Sequence, residues 1–267
     1  MRTRNKKSLG QNFLTDKNIV NFIIKSANIK SDDTLIEIGP GTGNLTRSLI
    51  SKKPSKLIII EKDNELSKLL KKKFEKSVHV INQDFLKLNF DEINFPNLKI
   101  IGNLPYNIST QILIKLIRNV NDKIKYKKMI LMFQKEVADR IVAKYDTKNY
   151  GRISIISQWK FKIKKLKNIS SNSFYPAPKV DSSLLLFELK NETFKLDKIK
   201  NLEHVTNIFF NLRRKMIKKP LQILFNNPEI IAQKLNLNLS DRPQKINPEV
   251  FYKICKEYEN QSINFIT

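Results

Sequence analysis

From Leu35 to about Leu189, short apolar runs rich in Ile, Leu and Val alternate with charged stretches whose apolar residues recur at helical spacing. The apolar runs read as buried strands at 34–38, 57–60, 78–81, 99–101, 129–133, 153–159 and 184–188. The stretches between them read as crossover helices. At 65–74, for example, Leu66, Leu69, Leu70 and Phe74 share one side and Lys71, Lys72 and Lys73 the other. Strands alternating with helices predict a doubly wound α/β domain around a mostly parallel sheet.

After about Asn191 the strand pattern stops. A helix is predicted over 203–219, where Val205, Ile208, Phe209, Leu212 and Met216 follow helical spacing and Arg213, Arg214, Lys215, Lys218 and Lys219 crowd the end. Pro220, Pro228 and Pro248 stand where first helical positions belong, the last two behind Asn227 and Asn247 as N-caps. Two domains are therefore expected, an α/β domain over 1–192 and a small all-helical domain over 193–267.

Composition narrows the function classes. Fifty Lys and Arg against 25 Asp and Glu leave a net charge of +25, which points to a polyanionic partner, while 40% hydrophobic residues exclude a disordered basic tail. Lys, Asn and Ile are abundant and Gly numbers only six, a bias that an AT-rich genome produces by itself, so charge alone does not name the partner. Cys255 is the only cysteine, which rules out an intramolecular disulfide and a cysteine-built zinc site and fits a reducing compartment. The basic N-terminus leads into Gly10, Gln11 and Asn12, not an apolar run, and the longest uncharged stretch, 100–114, is short for a membrane span. A cytoplasmic, monomeric protein without membrane contact or bound metal is expected.

Candidate chemistry gathers at strand ends. Glu37-Ile-Gly39-Pro-Gly41-Thr-Gly43 closes the first expected strand and opens a helix, placing glycines where backbone can approach a ligand. The dinucleotide fingerprint fails, because Asn44 or Thr46 occupies its third glycine place, and no phosphate-loop motif occurs. The G-x-G-x-G form behind an acid resembles the first motif of class I methyltransferases that use S-adenosylmethionine. Glu61 closes the second strand and Asp84 follows the third. Carboxylates there can accept from ribose hydroxyls and from an adenine amino group. Either acid alone reads more often as a solvated residue or a helix cap; three matched strand ends are far harder to obtain by chance.

Asn103-Leu-Pro-Tyr106 follows the fourth strand. The exocyclic amine of adenine is a poor nucleophile because its lone pair is delocalised into the ring. The Asn103 side-chain oxygen and a backbone carbonyl of Leu104 or Pro105, accepting from its N–H bonds, would hold it in line with an activated methyl group. Tyr106 can stack on the base, and Phe174, in Phe174-Tyr-Pro-Ala-Pro-Lys-Val-Asp-Ser182, can supply the second aromatic face. In isolation the tetrapeptide is an ordinary turn, and Phe174 is equally well an aromatic packed under a rigid loop.

Together, Lys7-Ser-Leu-Gly-Gln-Asn-Phe-Leu14, the glycine loop, Gln83-Asp84-Phe85, the run from Asn103 to Thr110, the Phe174 loop and Asn211-Leu-Arg-Arg-Lys215 resemble the ribosomal RNA adenine dimethyltransferases over nearly the whole chain. The resemblance implies a Rossmann-like class I methyltransferase domain with a small helical RNA-binding domain, and S-adenosylmethionine as cofactor. It implies cofactor contacts from Asn12, Leu14, Gly39, Gly41, Glu61, Asp84 and Asn103, and amine presentation by Asn103, Leu104, Pro105 and Tyr106 with Phe174 stacking. Leu9-Gly10-Gln11-Asn12, Asp181 and Asn-Leu-Arg-Arg-Lys point to the small-subunit branch, acting on two adjacent adenosines near the 3′ end of 16S rRNA within a 30S particle or precursor. The alternatives are a large-subunit (23S) enzyme of the macrolide-resistance type and a non-catalytic RNA-binding assembly factor; a DNA adenine methyltransferase fits the whole-length resemblance less well. Arg2, Arg4, Lys6, Lys7, Arg118, Arg140, Arg213, Arg214 and Lys215 are the basic candidates for RNA contact.

Overall fold

The computed structural model describes residues 11–90, 95–121 and 124–263. In chain order its elements are β1 (Phe13–Leu14), α1 (Lys17–Ala27), β2 (Thr34–Ile38), α2 (Asn44–Ile50), β3 (Lys56–Glu61), α3 (Asn64–Phe74), β4 (His79–Asn82), β5 (Leu98–Asn103), α4 (Ser109–Arg118) and β6 (Tyr126–Gln134). There follow α5 (Lys135–Ile141), α6 (Arg152–Lys160), β7 (Phe161–Ile169), β8 (Phe174–Tyr175), β9 (Ser182–Leu189), α7 (Ile199–Asn211), α8 (Lys218–Leu224), α9 (Pro228–Lys234) and α10 (Pro248–Ile263).

The main sheet runs β4-β3-β2-β5-β6-β9-β7. Strands β2 to β6 are parallel, and β9 joins antiparallel to β6 from Met129↔Phe187 to Gln134↔Ser182. Every residue of β2 is buried, which is why parallel strands covered on both faces read as continuous apolar runs. Strand order reverses at β2, whose neighbours β3 and β5 lie on opposite sides, so a crevice opens at its carboxyl end. Helices α1 and α3 are started by aspartate caps. Asp16 accepts the amides of Asn18 and Ile19 at 2.8 and 3.3 Å to begin α1, and Asp63 those of Glu65 and Leu66 at 2.8 and 3.2 Å to begin α3.

Two expected elements need correction. The segment 153–159 is helix α6, not a strand. Ser154, Ile155, Ile156, Ser157 and Trp159 are all buried, so no polar face marks the helical period, and the isoleucines mimic a strand. The strand lies just beyond, in β7, whose Lys162, Lys164, Lys165 and Lys167 hid it. As the outermost strand of the sheet it carries the lysines that discourage pairing with another chain. The helix expected over 203–219 breaks after Asn211. Its five cations within seven residues repel one another, and Pro220 in a continuous helix would clash with the carbonyl of Met216. The chain is caught instead by Ile217 N–H to Asp241 O at 2.8 Å, and α8 restarts with Pro220 in its first turn. Pro228 and Pro248 do open α9 and α10, and Asn247 caps the latter through the Glu249 amide at 2.9 Å.

Two compact units divide the chain. One runs up to Ala138 and takes in Lys162–Leu189; the other comprises Asp139–Phe161 and everything from Lys190 onward. The α/β domain expected as continuous over 1–192 is thus interrupted, because 139–161 folds with the C-terminal helices. Trp159 Nε1 donates to Phe194 O at 2.8 Å, Tyr252 Oη to Ile155 O at 3.0 Å and Tyr150 Oη to Ile246 O at 2.9 Å. Among the described residues no helix is long and apolar enough to cross a membrane.

Candidate active site

The carboxyl ends of β2, β3, β4 and β5 bring the glycine loop, Glu61, Asp84 and Asn103 around one pocket, which Asn12 and Leu14 also line. Gly39 and Gly41 adopt φ of +66° and +58°, a left-handed conformation that costs any other residue. A Cβ on Gly41 would fall 2.6 Å from the Phe13 ring, so the loop and β1 close on each other only because the side chain is absent. From Gly39 the same construction meets the Asn103 carbonyl oxygen at 3.5 Å, which sets the glycine loop directly against the Asn-Leu-Pro-Tyr turn.

Glu61 organises the pocket floor. It is 7% exposed, accepts the Gly41 amide on Oε2 at 3.2 Å and the Asp63 amide on Oε1 at 2.9 Å, and burial raises its pKa against the pull of those donors. A carboxylate has about four acceptor sites, so capacity remains for hydroxyls of a ligand. Asp84 is held the other way. Lys62 Nζ at 2.8 Å keeps its carboxyl below the ordinary range, and its Oδ1 accepts the Leu86 amide at 2.9 Å.

Asn103 ends β5. Its Nδ2 donates to Asn12 O at 2.8 Å, which commits the amide's donor end and leaves Oδ1 as the acceptor. The Pro105 carbonyl accepts the Ile108 amide at 3.1 Å, so of the two carbonyls considered from the sequence that of Leu104 is the remaining candidate acceptor. Tyr106 lines the pocket and its hydroxyl is hydrogen-bonded to buried Ser182 Oγ at the start of β9; burial raises its pKa. That tether fixes the ring.

The structure does not bring Phe174 to this pocket. It is 3% exposed and packs in the core with Leu14, Ile19 and Ile23, paired across β1 and β8 with Leu14. The aromatic facing solvent in that loop is Tyr175, 70% exposed. The basic candidates are spread over both units, with exposed Arg118 ending α4 in one, and exposed Arg140, Arg214 and Lys215 in the other. Arg213 Nη2 is committed to Lys148 O at 2.6 Å. Arg2, Arg4, Lys6 and Lys7 lie outside the described residues.

Phe13, Gln83, Phe85 and Glu37 also line the pocket, although the sequence singled out none of them as a contact. Glu37 is 1% exposed; burial, opposed by a 2.6 Å hydrogen bond from Thr46 Oγ1, pushes its pKa from 4.5 up to about 8. The unfolded chain releases this proton near pH 4.5 and the folded chain holds it to about 8, so stability falls as pH rises through that window. Glu37→Gln, which keeps an acceptor for Thr46, is expected to unfold at a higher temperature than the parent at pH 8.5, with the gap closing towards pH 4. Thermal melts across that range check it; a constant gap contradicts the titration.

A sheet that reverses at β2, with a left-handed glycine loop at that point and acids on the next two strand ends, defines the class I S-adenosylmethionine-dependent methyltransferase architecture. The family model described as ribosomal RNA adenine dimethylase matches residues 2–260. The chain is 49% identical over 255 residues to ribosomal RNA small subunit methyltransferase A of Pelagibacter ubique, covering 96% of this chain and 97% of that one. It is 40% identical to the protein of the same name from Ehrlichia canis, covering 94% and 95%. A dimethyladenosine transferase from Plasmodium falciparum superposes with a TM-score of 0.78 at 27% identity, over 94% of this chain and 98% of that one. The 23S rRNA methyltransferase ErmE shares the fold, with a TM-score of 0.67 at 22% identity over 93% and 100%. The chain belongs to the ribosomal RNA adenine dimethylase family, whose members are S-adenosylmethionine-dependent methyltransferases.

Proposed function

We propose that this protein transfers methyl groups from S-adenosylmethionine to the N6 amine of two adjacent adenosines near the 3′ end of 16S rRNA, during assembly of the 30S subunit in the cytoplasm. The observation that carries the reading is the contact of the glycine loop with the Asn103 turn, which sets a cofactor cradle beside an amine-accepting edge. The family membership and the relatives named for the small subunit favour that substrate over large-subunit RNA.

The residues fit S-adenosylmethionine. Gly39 and Gly41 supply the close backbone approach, Glu61 acceptors for ribose hydroxyls, and Asp84 an acceptor for the adenine amine, with Asn12, Leu14 and Asn103 closing the pocket. When bound, the cofactor supplies a methyl group already activated on a sulfonium. Asn103 Oδ1 and the Leu104 carbonyl accept from the target amine, localise its lone pair and aim it; Tyr106, held by Ser182, presents a flat face to the base. The methylated amine then loses a proton to water or to one of these acceptors. No histidine is required. With Phe174 packed in the core, the stacking role is assigned to Tyr106.

RNA contact is assigned to the basic residues of the helical unit and to Arg118, with one copy of the chain per particle. Arg214→Ala combined with Lys215→Ala is expected to reduce the log–log salt slope of binding to small-subunit particles by about 1.5, the contribution of two phosphate contacts, with cofactor affinity unchanged. An unchanged slope removes that segment from the interface.

The function is tested by incubating the protein and labelled S-adenosylmethionine with small subunits lacking the modification, and with large-subunit RNA in parallel. N6,N6-dimethyladenosine is expected in the small-subunit sample alone. Label in large-subunit RNA moves the substrate to the resistance-type reaction, and binding without label makes the protein a non-catalytic assembly factor.

A further inference from the structure

The ammonium of Lys115, in the second turn of α4, takes no part in the proposed transfer, yet it grips the turn behind Asp84 and Phe85, which line the pocket. Its Nζ donates to Leu86 O and to Leu88 O, both at 2.7 Å, and stands 5.6 Å from the centroid of the Phe90 ring. Phe90 in turn meets Phe85 edge-on at 5.7 Å. The gripped segment is the turn that carries Asp84 and Phe85 into the pocket: the Leu86 amide binds Asp84 Oδ1 while the Leu86 carbonyl binds Lys115. Burial lowers the pKa of Lys115 and the Asp84 carboxylate opposes that shift, so the two groups sense each other through this turn.

The same helix begins on the acceptor motif. Ile108 N–H donates to Pro105 O at 3.1 Å and Ser109 Oγ to Tyr106 O at 3.2 Å. Six residues of α-helix, about 9 Å at 1.5 Å per residue, separate Ser109 from Lys115. One rigid rod therefore touches the Asn103–Tyr106 turn at its start and the Asp84–Phe85 turn further along.

We propose that Lys115 is a positioning residue that sets the adenine-side wall of the cofactor pocket, Asp84 and Phe85, in register with the amine-accepting turn at Asn103–Tyr106. This rests on the assignment of the pocket to S-adenosylmethionine. Lys115 touches no reacting atom; it acts by fixing two carbonyls with a charge-assisted donor on each. Removing the ammonium frees the turn, and binding then carries the cost of ordering it. Cofactor affinity falls, whereas transfer from the saturated complex persists.

The test uses the full chain and calorimetric titration with S-adenosylhomocysteine and, separately, with adenosine. Lys115→Met is expected to weaken both by about tenfold and to raise KM for S-adenosylmethionine by a similar factor, with kcat on small subunits within about twofold. Lys115→Arg is expected to restore most of the affinity, because a guanidinium can also reach two carbonyls. In combination with Asp84→Asn, the Lys115→Met penalty should shrink, since the two residues share one turn. Lys115→Gln, a milder change, is expected to fall between parent and Lys115→Met and serves if the methionine variant does not fold. Parental affinity in a folded Met or Gln variant overturns the inference, as does loss confined to melting temperature, or a fall in kcat with KM unchanged. A parent chain that binds neither ligand overturns the cofactor assignment itself.

Discussion

Asn103→Ala is expected to lower kcat by about 100-fold or more while S-adenosylhomocysteine still binds within about threefold of the parent. The bond from Nδ2 to Asn12 O leaves the side-chain oxygen as an acceptor, and under the proposed function the variant removes an acceptor whose worth grows as the amine becomes positively charged. Loss of one such preorganised partner costs about 3 to 4 kcal/mol in the transition state, which is two to three decades in rate. The residual affinity follows from the pocket, since Gly39, Gly41, Glu61 and Asp84 are untouched. Single-turnover assays on unmodified small subunits, paired with calorimetry, separate the two quantities. Activity within twofold of the parent would contradict the role given to Asn103.

Glu61→Ala is expected to act on the other quantity. Its two oxygens hold the Gly41 and Asp63 amides, so alanine strands two buried donors and, under the proposed function, also removes the acceptors for ribose hydroxyls. At about 1 to 3 kcal/mol for each unmet or lost interaction, binding of S-adenosylmethionine should weaken by about 100-fold or more, with saturated kcat reduced far less. Calorimetry and the KM-against-kcat split measure it. A normal dissociation constant would reassign Glu61 to holding the loop alone. Glu61→Gln is instructive beside it, because the amide must turn an N–H towards one of two backbone donors and should rescue only part of the loss.

The strands that carry this chemistry were legible because parallel strands buried on both faces are dominated by apolar residues, as in β2, β3 and β5. Their ends were legible too, since glycines and acids interrupt that pattern where the pocket opens. What escaped the sequence was governed by tertiary context. Strand β7 is polar because it is an edge, and α6 lacks a visible face because it is surrounded. Phe174 looked available beside two prolines, but its strand pairing with Leu14 turns it inward. Glu37 was visible only as the acid before a glycine motif; its complete burial, and hence its displaced titration, follows from its place in β2 between β3 and β5. Lys115 was one lysine among many, and nothing local marks the carbonyls it binds.

The return of 139–161 to the C-terminal helices also governs how the protein is made and how it can be cut. A ribosome releases α6 long before α7 and α10 exist, so Trp159 and Tyr150 must wait for Phe194 and Ile246 to emerge before their hydrogen bonds can form. The helical unit therefore completes only after synthesis has passed the whole sheet. Truncation near 192 strips α6 of its cover and leaves Trp159 and Tyr150 without acceptors. Module exchange among relatives must move both segments together.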